Sequence, residues 1–201
     1  MSDAFQWLYS DTVKDHFTNP RNVFNPDEKF EADAEGIVGN IKCGDQMLFM
    51  LKIKDDVIVD VRWKTYGCAS AIASTSMLSE VIKGMPIREA YKIKPNDVVK
   101  ELGGLPENKI HCSVLGDKAL RAAIDSYLEK HGRAGEFANE AATVICKCLN
   151  ITDKDIEDAV KNGGAKTWED LQAATKIGTV CGSCKEQAMD LLAEYVHIYS
   201  K

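Results

Sequence analysis

The sequence predicts an α+β fold: an antiparallel sheet with helices packed on it, followed by a small all-helical domain. Three observations carry that prediction. Apolar residues alternate with polar ones between Met47 and Trp63. After Gly67 the apolar spacing becomes helical. The last sixty or so residues show helix-start signals around four cysteines.

Residues 36–66 read as strands. In MLFMLKI, Met47, Phe49, Leu51 and Ile53 alternate. Asp55-Asp56 makes a two-residue connection, and Val57, Val59, Val61 and Trp63 alternate again opposite Asp60, Arg62 and Lys64. That is the period of a half-buried antiparallel sheet. ASAIASTSMLSEVI then sets Ile72, Met77 and Val81 at helical spacing, ended by Gly84 and Pro86. PNDVVKELGG reads as a short helix closed by glycines. Residues 116–131 form an amphipathic helix, with Ala119, Ala123 and Tyr127 beside Leu120, Ile124 and Leu128. Strands first and helices after is the α+β order.

HGRAGEFANEAA has no strong period and reads as a linker. Domains are therefore expected at 1–132 and 143–201, with 133–142 between them. Thr152 with Asp155, and Thr167 with Asp170, are capping-box-like helix starts. The last helix, 184–199, carries Ala188, Leu192, Tyr195 and Tyr199 on one face.

The chain has 201 residues and a formal charge of −6. Residues 1–133 hold 18 basic and 20 acidic side chains, and residues 134–201 hold 7 and 11. Neither half has the basic footprint of a nucleic-acid binder. No apolar run approaches the roughly 20 residues that span a bilayer. MSDAFQWLYSD lacks the basic and apolar regions of a secretory signal, so a cytoplasmic protein with no membrane partner is expected.

Seven cysteines stand out, at 43, 68, 112, 146, 148, 181 and 184. An odd count without an export signal argues against a disulfide framework and for metal or redox chemistry. The last four read C-x-C-x32-C-x2-C. Four thiolates suit a tetrahedral zinc or an iron–sulfur site, and no histidine lies between Cys146 and Cys184 to make a Rieske arrangement. A zinc ribbon usually has two C-x2-C knuckles, and a thioredoxin-type reading of Cys181 and Cys184 leaves the other pair unexplained. Spacing alone leaves zinc and iron–sulfur both open.

Cys43, Cys68 and Cys112 each lie at an element end, where loops carry function. Their separations, x24 and x43, fit no compact zinc finger, so the fold would have to build the site. Three thiolates leave a fourth position for Asp45 or His111. A carboxylate is a harder ligand than a thiolate, so Asp45 would hold a cluster loosely. That is a defect in an electron carrier and useful in a protein that gives its cluster away. His111 beside Cys112 does not make a papain-like pair, because neighbouring side chains usually face apart. A structural role is open for any one of the three cysteines alone.

ICKC…TVCGSC, over about residues 143–198, resembles the bacterioferritin-associated-ferredoxin-like domain family. The resemblance implies a permanent 2Fe–2S cluster on Cys146, Cys148, Cys181 and Cys184. The stretches YSDTVKDHFTNPRN, CGDQM, KTYGCASAIASTS and LPENKIHCSVLG, over about residues 9–131, resemble the IscU/NifU iron–sulfur scaffold family. The two halves in this order resemble the NifU family. A third module with its own C-x2-C is usual there, and a chain ending at Lys201 is expected to lack it.

The resemblance implies the IscU/NifU N-terminal fold and a labile cluster site. Cys43, Cys68 and Cys112 match the scaffold cysteines, and Asp45 the aspartate that makes the cluster labile. His111 matches a zinc or cluster ligand, and Lys109 a lysine that exchanges with ligands nearby. Cys112 is the expected first sulfur acceptor. Two departures stand out: Ala69 replaces a frequent glycine, and LPENK lacks the second proline and the valine of the stretch read by a dedicated Hsp70.

The implied function is a scaffold rather than an enzyme. It assembles 2Fe–2S or 4Fe–4S clusters from iron and the sulfur of a cysteine desulfurase, then passes them to apo-proteins. A homodimer is implied, and either nitrogen fixation or housekeeping as its setting. The rival readings are a 2Fe–2S electron carrier with a docking domain and a structural protein with two zinc sites.

Overall fold

The structure, a computed structural model, describes residues 9–40, 45–106, 114–138 and 140–199. It divides into a first unit ending at Phe137 and a second beginning at Ala138. Each has its own core.

The first unit opens with α1 (Asp11–Thr18), which the sequence reading does not anticipate. Its cap is Ser10, whose Oγ accepts from Val13 N at 3.1 Å. Three strands follow, β1 (Ala34–Asn40), β2 (Asp45–Lys54) and β3 (Val57–Thr65), in an antiparallel sheet of order β1-β2-β3. Asp55 and Asp56 have φ of 51° and 60°, positive at both central residues, which is the type I′ turn that matches strand twist. Met47, Phe49, Leu51 and Ile53 are all buried, as the period-two pattern expects.

The alternation breaks once, on β3. Lys52 pairs with Asp60 but Ile53 pairs with Ile58, so Val59 is an extra residue without a cross-strand partner. This bulge turns Ile58 inward and leaves Val59 exposed, reversing the expected face there, while Val61 and Trp63 stay buried.

Helices α2 (Ala69–Ile82), α3 (Ile87–Lys92), α4 (Pro95–Glu101) and α5 (Val114–Lys130) complete the unit. Ala69 begins α2 without a positive φ, so a glycine is not required there. The buried face of α2 differs from expectation. Ile72, Met77 and Val81 are only half-buried, whereas Ala71, Ala73, Leu78 and Ile82 are buried together with Ser70, Ser74, Thr75, Ser76 and Ser79. Thr75 Oγ1 donates to Ala71 O and Ser79 Oγ to Ser76 O, each at 2.7 Å, and such back-bonds let a polar face enter a core.

Helix α5 lies across the sheet as its pattern predicts, with Ala119, Leu120, Ala123, Ile124 and Leu128 fully buried. Gly36 on β1 makes that approach possible: a Cβ there would stand 2.2 Å from Ala119 O and 2.3 Å from Ala123 N. Part of the stretch expected to be a linker packs on the first unit. Arg133 donates to both Asp56 carboxylate oxygens at 2.8 Å, and Phe137 is buried with its ring 5.7 Å from Tyr91.

The second unit carries a short antiparallel pair, β4 (Val144–Cys146) with β5 (Ile151–Thr152), which the sequence reading leaves out. Three helices follow: α6 (Asp153–Lys161), α7 (Trp168–Thr175) and α8 (Lys185–Tyr199). Both expected capping boxes are present, on Thr152 with Asp155 and on Thr167 with Asp170. The core joins Ile156, Leu171, Ile177, Ala188, Leu192 and Tyr195. Ile198 takes the buried place expected for Tyr199, whose hydroxyl donates to Glu157 instead. Among the described residues, no helix is long and apolar enough to cross a membrane.

Candidate metal centres

In the second unit, β4 ends on Cys146, and Cys148 sits in the turn before β5. Helix α7 ends at Lys176 in the left-handed conformation, and the chain returns through Gly178 to Cys181 and Cys184, immediately before α8. Cys184 O accepts from Ala188 N at 2.9 Å, so that residue starts the helix. Amide groups at a helix start favour negative sulfur.

The four thiols gather as two pairs. Cys148 Sγ lies 3.4 Å from Cys181 Sγ, and both residues are exposed. Cys146 and Cys184 are buried, and the Cys184 thiol is among the groups that lower the pKa of Cys146. Gly178 N–H, first, and Leu149 N–H lower the pKa of Cys146, while burial raises that of Cys184. The Ser183 hydroxyl, 3.2 Å from Cys181 Sγ, leads the groups that bring Cys181 down to about 7. The hydrogen bond to Cys181 raises Cys148.

Among the described residues, no three Cys, His, Asp or Glu side chains close on one metal position. A single zinc draws four sulfurs onto one point, whereas a two-iron cluster takes two thiolates on each iron. Two pairs, one inner and one outer, fit the second demand. Backbone N–H groups already aimed at Cys146 suit a sulfur that stays charged.

In the first unit, Cys68 is exposed and caps the start of α2. Asp45 opens β2, opposite Asn40. Cys43, Lys109, His111 and Cys112 lie outside the described residues, as does the Asp45 side chain. Their flanks converge. Asn40 pairs with Asp45, and Tyr66 N donates to Gln46 O, so the end of β1, the start of β2 and the end of β3 share one edge. Helix α5 runs antiparallel to β1, with Ala119 to Ala123 over Gly36 and Lys130 Nζ on Asp33 O, so the helix begins toward that same edge. Sequence spacing could not show this meeting. The donors Gly178 and Ser183 were also missed, although Ser183 lies inside C-G-S-C.

A scaffold-like α+β unit followed by a four-thiol unit defines a class of iron–sulfur protein, and comparison with known proteins gives the family. The family described as "NifU-like N terminal domain" matches residues 8–134, and the "BFD-like [2Fe-2S] binding domain" matches residues 144–194. The chain belongs to the NifU/IscU family and carries a BFD-like 2Fe–2S domain behind the scaffold domain. It is 38% identical over 190 residues to the nitrogen fixation protein NifU of Azotobacter chroococcum mcd 1, covering 94% of this chain and 60% of that one. It is 51% identical over 130 residues to the iron–sulfur cluster assembly scaffold protein IscU of Aquifex aeolicus, covering 64% of this chain and 81% of that one. The chain thus spans about 60% of the length of the NifU relatives it matches. A crystal structure of a NifU-like N-terminal protein from Brucella abortus aligns over 61% of this chain and 96% of that one, with a TM-score of 0.47 and 21% identity.

Proposed function

We propose that this chain assembles labile iron–sulfur clusters on its first domain, residues 1–132, and passes them to apo-proteins. A resident 2Fe–2S cluster is held by a second domain, residues 143–201. The observation that carries the reading is the convergence of the Asn40–Asp45, Thr65–Cys68 and Val114 ends on one edge of the sheet. The relatives' printed names, iron–sulfur scaffold and nitrogen fixation protein, support it.

Cys43, Asp45, Cys68 and Cys112 form the labile site, with His111 an iron or zinc ligand in some states and Lys109 beside it. Cys112 is the sulfur acceptor. Its thiolate attacks the outer sulfur of a desulfurase persulfide. A new S–S bond forms on Cys112, the desulfurase S–S bond breaks, and the desulfurase keeps a thiolate. Two electrons, delivered one at a time by an external reduced ferredoxin-class donor, then cleave that S–S bond, releasing sulfide and returning the Cys112 thiolate. Iron arrives as cargo, and a 2Fe–2S or 4Fe–4S cluster builds in the site. Asp45 supplies the harder, weaker ligand that lets it leave.

In the second domain, Cys146 and Cys184 form the inner pair and Cys148 and Cys181 the outer pair. The group they hold supplies one-electron transfer. Cys146 and Cys184 are themselves buried, and Gly178 N–H would support the Cys146 sulfur. The chain works in the cytoplasm, as a homodimer, with a cysteine desulfurase as sulfur donor.

Iron transfer tests the reading. The chain is loaded anaerobically with iron and a desulfurase, mixed with an apo-ferredoxin, and separated from it. A fraction of the iron should move while a 2Fe–2S spectrum stays behind. The Cys112→Ser variant should move none and keep that spectrum. If no iron moves from the loaded chain and the spectrum is unchanged, the chain is an electron carrier and the labile-site assignment fails.

A further inference from the structure

We infer that Ser183 is a positioning residue for the resident cluster: its hydroxyl donates to Cys181 Sγ and raises the cluster's reduction potential. The inference rests on the proposed 2Fe–2S reading of the four C-terminal cysteines, and it concerns a residue that binds no metal.

The inner and outer sulfurs are supported in different ways. Cys146 accepts from the backbone N–H groups of Gly178, Leu149 and Cys148, which no side-chain substitution removes. Cys181, in the exposed pair, has the Ser183 Oγ at 3.2 Å. The Ser183 backbone N–H also points at that sulfur. Gly182, with φ of 72°, turns the chain so that Ser183 folds back over Cys181, and Gly182 O accepts from Lys185 N at 3.1 Å, tying the turn to α8. The turn therefore fixes the Ser183 backbone, and its exposed hydroxyl reaches Cys181 Sγ from there.

Between two neutral groups either atom could donate. An iron-bound sulfur is a thiolate without a proton, so the hydroxyl must donate to it. Adding an electron raises the negative charge on the sulfurs. A hydrogen bond to an ionised acceptor strengthens with that charge, so the donor stabilises the reduced state more than the oxidised one. Only the difference in that bond between the two states enters the potential. The expected effect is about a tenfold change in the reduction equilibrium, which is about 59 mV for a one-electron couple.

The test uses the full chain, loaded anaerobically, with wild type beside Ser183→Ala, Ser183→Thr and Ser183→Val. Dithionite titration with redox dyes gives the midpoint potential; dithionite supplies one electron per cluster and no bond is broken. Iron content and the visible spectrum report retention. The expected result is that Ser183→Ala retains its cluster with a more negative midpoint, by about 59 mV. Ser183→Thr, which keeps the hydroxyl, stays near wild type, and Ser183→Val, of equal size, follows Ser183→Ala. A retained cluster with unchanged potential in both Ala and Val variants overturns the inference and leaves the 2Fe–2S reading standing. If Ser183→Ala empties the site, the Thr and Val variants decide: iron held by Thr and lost by Val supports the hydroxyl, and equal loss overturns it. A wild-type chain without a 2Fe–2S spectrum overturns the ligand reading itself, and the inference with it.

Discussion

Cys148 and Cys181 hold their sulfur atoms 3.4 Å apart, though 33 positions separate them in the chain. Both are exposed, whereas Cys146 and Cys184 are buried behind them. The turn after β4 and the loop before α8 have been brought together with two thiols facing out and two facing in. The end of β4 and the start of α8 together position all four sulfurs.

Thiol reactivity in the metal-free chain follows from that arrangement. The Ser183 hydroxyl holds Cys181 down to about 7, while the shared hydrogen bond pushes Cys148 up. The thiolate is the nucleophile, so alkylation of Cys181 by iodoacetamide should rise through about pH 7. Cys184, pushed up by burial, should react last. Mass spectrometry of peptides after brief exposure across a pH series measures this. Equal modification of all four cysteines at every pH would mean the pairs do not exist in solution. In the loaded chain the same reagent should leave all four unmodified.

Gly178→Ala should loosen the C-terminal site without unfolding the first unit. Gly178 has φ of 72°, and a Cβ there would stand 2.8 Å from Trp168 Cζ2. Left-handed backbone costs a residue with a Cβ roughly 1–2 kcal/mol, and the ring contact adds to that. The loop must shift, and the N–H that supports Cys146 shifts with it. The expected outcome is faster loss of the 2Fe–2S bands to a chelator, with unchanged urea unfolding of the first unit.

How legible these features were in the sequence depends on the size of the signal. The β2–β3 hairpin was readable because four inward side chains on β2 alternate and two aspartates fit a turn with positive φ. The bulge at Val59 was not, because only the strand register reveals an unpaired residue. Helix α2 was readable as a helix but its buried face was not. Serine and threonine look solvent-facing until their hydroxyls are seen bonding back to the helix. Helices α1 and α3, of 8 and 6 residues, are too short for spacing to mark them. The four C-terminal cysteines were legible from spacing alone. Their division into inner and outer pairs, and the roles of Gly178 and Ser183, depend on how a distant loop returns.

Gly36→Ala tests the packing of α5 on β1, which sets where the proposed labile site would form. Its Cβ would meet backbone atoms of Ala119 and Ala123 at 2.2 and 2.3 Å, and backbone within a helix cannot rotate away. Overpacking of a well-filled core costs typically 1–3 kcal/mol, and this contact belongs at about 3 kcal/mol or above. The urea midpoint of the first unit should fall accordingly, while the spectrum of the C-terminal cluster stays unchanged. A midpoint within error of wild type would mean that α5 does not cross β1 this closely.

The first unit should also lose stability in mild acid, through His16. Its side chain is 5% exposed, with Nδ1 2.8 Å from Ser76 Oγ and Nε2 3.6 Å from Glu80 Oε2. Ser76 Oγ also accepts from Arg21 N at 2.9 Å, so its own proton is free to bond Nδ1, and the Nε2–H faces Glu80. Burial, first, and the nearby Arg21 charge lower the His16 pKa below its ordinary 6.5, against Glu80 and Asp15, which raise it. The unfolded chain therefore takes up a proton at higher pH than the folded one. This contribution is complete above about pH 6.5 and is lost as pH falls from there through the lowered folded value. Asp15, Glu28 and Asp56, all held below the ordinary carboxylate range by arginine partners, act in a separate window, below pH 4.5. Urea midpoints of the first unit at pH 7.5, 6.5 and 5.5 separate the two. Wild type should fall across that range. His16→Asn, which keeps an acceptor for Ser76 but cannot titrate, should be less stable at pH 7.5 by about 1–3 kcal/mol and nearly flat below it. A variant that slopes as steeply as wild type would assign the acid sensitivity to other groups.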